Sequence, residues 1–68
     1  MNEDVLNMSL RKFLKKVGVT GQREIEQAVR NALDVGRLRG KEKLAAEMRL
    51  TIPAVGLDVV IDGEIELA

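Results

Sequence analysis

The spacing of apolar residues changes once along this 68-residue chain, between Gly36 and Leu44, and that change restricts the folds open to it. Up to Gly36 they recur every three or four residues, the period of a helix with one buried stripe. From Leu44 they recur at every second residue, the period of a strand with one buried face. The pattern predicts an α+β domain of order α-α-β-β, two N-terminal helices packed on a small C-terminal antiparallel sheet.

The first helix is expected over about residues 3–17. Asn2 suits the N-cap, and Glu3 and Asp4 suit a first turn that attracts negative charge. Leu6, Leu10, Phe13, Leu14 and Val17 form its apolar stripe. Arg11, Lys12, Lys15 and Lys16 then fall in its last two turns, where cations are favoured, and Gly18 reads as a left-handed stop. A second helix is expected over about 21–35, with Thr20 as N-cap. Ile25, Ala28, Val29, Ala32 and Leu33 form its apolar face, and Gly36 ends it.

Residues 37–43 form a charged connector. Leu44, Ala46, Met48, Leu50 and Ile52 then alternate with Ala45, Glu47, Arg49 and Thr51, predicting a half-buried strand over about 44–52. Pro53 cannot donate to a strand ladder and Gly56 permits a positive φ, so 53–56 reads as a turn. A second strand follows over about 57–67. Its end has two readings: Asp62-Gly63 is a hairpin signal that would create a third short strand, whereas the shared parity of Leu57, Val59, Ile61, Ile65 and Leu67 favours one long strand, with a bulge at Gly63 as one form of it. The expected core joins the helical stripes to Leu44, Met48, Leu50, Ile52, Leu57, Val59, Ile61 and Ile65.

A single domain of this size buries only about 60% of the surface its unfolded chain exposes, which leaves a lone monomer marginal. Cysteine and histidine are both absent, so neither disulfides nor the common zinc sites can reinforce it. A homodimer is thus a physical possibility. Nothing approaches the run of about 18 apolar residues needed to span a membrane, and the expectation is a cytoplasmic protein.

The same absences argue against catalysis. Ser9, Thr20 and Thr51 are the candidate nucleophiles, and no histidine exists to activate them. Asp58, Asp62, Glu64 and Glu66 invite a metal reading, but alternate strand positions lie about 6.5–7 Å apart and do not converge on one ion. We expect no enzyme, no metal and no cofactor. Charge is the remaining signal. Net charge is zero, yet residues 9–43 carry +6 and residues 44–68 carry −4. The candidate contact surface is Met8, Arg11, Lys12, Lys15, Lys16, Arg23, Gln27 and Arg30, facing a protein partner or a second copy. The alternative is a nucleic acid held by the basic end of helix 1 and the exposed face of helix 2. Glu24, Glu26 and Asp34 on that second helix oppose this alternative.

Several segments resemble a small family of uncharacterised bacterial proteins known only as a domain of unknown function. They are Met-Asn-Glu-Asp-Val at 1–5, Arg-Lys-Phe-Leu-Lys-Lys-Val-Gly-Val-Thr at 11–20, Arg-Glu-Ile-Glu at 23–26, Leu-Thr-Ile at 50–52, Val-Gly-Leu at 55–57 and Ile-Asp-Gly-Glu-Ile-Glu-Leu at 61–67. The resemblance covers nearly the whole chain. It implies an α+β miniprotein and no particular activity, partner or site. Pro53 departs from the small flexible residue expected there.

Overall fold

Gly18 does not stop the helix. In the computed structural model, which describes residues 1–68, a single helix α1 runs from Glu3 to Asp34. The strand β1 (Lys43–Ile52), a 3-10 turn (Pro53–Val55) and the strand β2 (Leu57–Glu66) follow. The class is α+β, but the two expected helices are one. The chain divides into two compact units, Met1–Arg37 and Leu38–Ala68.

The physical reason lies in the phase of the apolar stripe. A helix–turn–helix needs that phase to break at the turn, and here it does not. Val17, Gly21 and Ile25 continue the stripe of Leu6, Leu10 and Leu14 at steps of three and four. A glycine inside a helix costs about 1 kcal/mol, far less than losing a turn of hydrogen bonds and creating two new ends. Gly18 itself does not have a positive φ. The expected ends of the whole span do hold. Asn2 Oδ1 accepts from the Val5 N–H at 3.2 Å, and Gly36, at φ 78°, takes the left-handed cap position. There the Arg37 N–H donates to the Ala32 carbonyl at 2.8 Å and the Gly36 N–H to Leu33 at 3.2 Å, the paired bonds of a Schellman stop.

One helix also changes the meaning of the basic cluster. Arg11 to Lys16 lie in mid-helix, so they do not complement the negative end of a dipole. The true last turn holds no cation and ends on Asp34.

At the start of the second unit, the carboxylate of Glu42 gathers the backbone that precedes β1. It accepts N–H bonds from Arg39 (2.9 and 3.1 Å), Gly40 (2.9 Å) and Lys41 (3.0 Å). The Arg39 amide leads in holding the Glu42 carboxyl below its ordinary pKa.

β1 and β2 form a two-stranded antiparallel ribbon, and β2 passes through Asp62-Gly63 without a break. Gly63 stands directly opposite Ala46, so there is neither a third strand nor an extra residue at that position. The turn closes with Gly56 at φ 67°, its N–H donating to the Pro53 carbonyl at 3.1 Å. The register places Leu44 opposite Ile65, Met48 opposite Ile61, Leu50 opposite Val59 and Ile52 opposite Leu57, all on one face.

No side chain in the chain is buried, which corrects the expected core. Phe13 is 48% exposed, Leu14 56% and Ile61 59%. No helix is long and apolar enough to cross a membrane.

Two outcomes follow. A Cβ built at Gly18 meets nothing within 4 Å, so Gly18→Ala should stabilise α1 by about 0.5–1 kcal/mol, read as a higher thermal midpoint by circular dichroism. A left-handed stop at Gly18 would give the opposite sign. Second, the folded pKa of Glu42 lies below its unfolded value, so its contribution is present above the ordinary carboxylate range and lost as pH falls through the depressed value. Carboxyl titration by NMR should show a depressed midpoint for Glu42, with the Arg39, Gly40 and Lys41 amides losing protection through it. An ordinary midpoint would refute the arrangement.

Candidate functional site

All eight residues of the expected contact surface lie on α1. Because the helix is continuous, they are not an end and a separate face. Lys12 and Lys16 are one turn apart, and Lys16, Arg23 and Arg30 follow at seven-residue steps along one line. Met8, Arg11 and Lys15 flank that line on the side away from the apolar stripe. Met8 is 74% exposed. The line is not uniformly basic: Glu26 sits beside it and accepts from Gln22 Nε2 at 3.0 Å. Gln27 borders it next to the apolar stripe.

The ribbon supplies the opposite charge. Its polar face carries Lys43 and Arg49 against Glu47, Asp58, Asp62, Glu64 and Glu66, a net charge of −3. Arg49 and Asp58 are already engaged with each other. The guanidinium donates from Nε to Oδ1 at 2.9 Å and from Nη2 to Oδ2 at 2.7 Å, which holds the Asp58 carboxyl below its ordinary pKa. Both side chains are exposed, so this fork contributes orientation more than stability. Glu47 and Asp62 face each other across the ladder, with Glu64 and Glu66 beyond. No three acidic side chains gather closely enough to share a metal ion.

Surface depressions on each unit open widely to solvent. One lies over Ala45, Ala46, Glu47, Asp62 and Gly63, where the smallest pair of the ribbon thins it. Another runs along α1 between Arg23 and Asp34.

The surface that sequence reasoning missed is the apolar one, because it assigned those residues to an internal core. The stripe of α1 has an eleven-residue repeat, in which Leu6, Val17 and Ala28 form one row, Leu10, Gly21 and Ala32 a second, and Leu14 and Ile25 a third. Eleven residues in three turns is about 3.67 per turn, close enough to the helical 3.6 to keep a stripe straight over the whole length. That repeat crosses Gly18 and Gly21 without a shift. It is the signal in the sequence that separates one long helix from two short ones.

The geometry thus offers an apolar helix stripe, a mainly basic helix back, an apolar ribbon face and an acidic ribbon face. No curated protein and no solved structure matches the chain. A family model does match, over residues 1–68, and the chain belongs to that family, the family of unknown function DUF6494.

Proposed function

We propose that the chain is a small, non-catalytic interaction or self-association module of the cytoplasm. One observation carries this reading: both units present apolar faces and neither face is buried, in a chain that is 46% hydrophobic. A two-stranded ribbon alone is marginal in water, and an amphipathic helix draws most of its stability from packing. Apolar faces left open on such elements are suited to a protein surface that covers them. The basic back of α1 and the acidic ribbon face then act as charged rims, which set orientation and encounter rate more than affinity. The lack of histidine and cysteine supports binding over catalysis.

A nucleic acid remains the second reading. The alignment of Lys12, Lys16, Arg23 and Arg30 favours it, and the interleaved Glu26 and the overall zero charge weigh against it. Salt separates the two. Phosphate contacts make log affinity fall linearly with log salt, and an apolar contact with charged rims falls far less.

Sedimentation equilibrium combined with thermal melts at several protein concentrations tests the leading reading. The expected result is association, with a midpoint that rises with concentration, or, for the chain alone, a shallow melt without a cooperative step. A monomer with a sharp, concentration-independent melt would overturn it, since its apolar faces would be satisfied within one chain. Phe13→Ala gauges the cover directly. The loss should be about 3–5 kcal/mol where the ring is enclosed by a partner, and within about 0.5 kcal/mol where it stays on a bare helix.

A further inference from the structure

We infer that the apolar stripe of α1 pairs with the same stripe of a second copy, antiparallel, about a two-fold axis level with Val19. This rests on the reading of the chain as an interaction or self-association module and names its partner.

The middle of the stripe is palindromic. Counted from either end, the steps between its eight central positions are four, three, four, four, four, three and four, from Leu6 to Ala32. Reversing one copy about Val19 therefore brings each of these eight level with another, while Leu14 and Val29 at the borders fall level with Glu24 and Ser9. Leu6 meets Ala32, Leu10 meets Ala28, Phe13 meets Ile25, and Val17 meets Gly21. An isologous interface demands this self-match, because residue i must face j while j faces i. An unrelated partner imposes no such symmetry on the spacing.

Size and charge favour the same arrangement. Each level joins a larger side chain to a smaller one, so the layers fill evenly, and Gly21 against Val17 lets the two backbones approach at the axis. Parallel pairing would stack Leu6, Leu10 and Phe13 on their own copies and leave Gly21, Ala28 and Ala32 facing each other across gaps. It would also set the four cations Arg11, Lys12, Lys15 and Lys16 beside the same four. The antiparallel pair sets that segment beside residues 22–27, where Arg23, Glu24 and Glu26 sum to −1. Glu24 falls level with Leu14 at the border of the stripe, from which its carboxylate can reach water.

The chain has no cysteine, so Met8→Cys and Val19→Cys can each carry one spin label on the helix back. Both positions are exposed. Sedimentation equilibrium and pulsed dipolar spectroscopy are run on these full chains. A dimer is expected, with the Met8 labels offset along the axis by 22 residues, about 33 Å, and the Val19 labels level and distinctly closer. Equal, short separations at both positions would overturn the antiparallel pair while leaving an association module in place. A monomer at all concentrations would overturn self-pairing. The melt of that monomer then decides the broader reading: a shallow one leaves the faces in need of another protein, and a sharp one removes both proposals. Gly21→Leu gives an independent check. Leucine is the better helix former, so helix content should hold or rise while dimer dissociation rises roughly tenfold or more through overpacking. Unchanged association would exclude close approach at Gly21.

Discussion

The unbroken hydrogen-bond ladder of α1 across Gly18-Val19-Thr20-Gly21 is the constraint from which the other features follow. It survives two glycines because the apolar stripe keeps its phase there, and because a break would expose backbone groups that the helix otherwise satisfies. Continuity lines up Lys12, Lys16, Arg23 and Arg30, and it carries one apolar stripe from Leu6 to Ala32. Had the chain turned at Gly18, two short helices could have folded on each other. One unbroken helix has no second helix of its own to cover its stripe.

Much of this was legible in the residues. Asn2 as the N-cap, Gly36 as the stop, the alternation from Leu44 to Ile52 and the turn at Pro53 to Gly56 each have a local cause that acts over a few residues. The passage of β2 through Gly63 was one of two open readings, and the parity of Leu57 to Ile65 marked it. The break at Gly18 was misread because a glycine followed by a Thr N-cap candidate is a local signal too, and here it competes with a longer-range one. The eleven-residue repeat outweighs it, since its contributions add over about seven turns while the glycine penalty is counted twice.

The candidate surface was legible in part. Charge segregation marked the basic residues of α1, but their arrangement as a line depends on helix continuity and could not be read without it. The apolar stripe was visible as a pattern and misassigned in role. Periodicity reports that a face prefers cover; it does not report whether the cover comes from the same chain. Phe13 at 48% exposed and Ile61 at 59% show only that neither side chain is buried.

The two units have a kinetic corollary. Their hydrogen bonds close within one helix or one hairpin, and the hairpin is joined by only four residues, Pro53 to Gly56. Elements with such local contacts form in microseconds or less. Neither unit therefore needs a slow internal search, and neither waits on contacts made far along the chain.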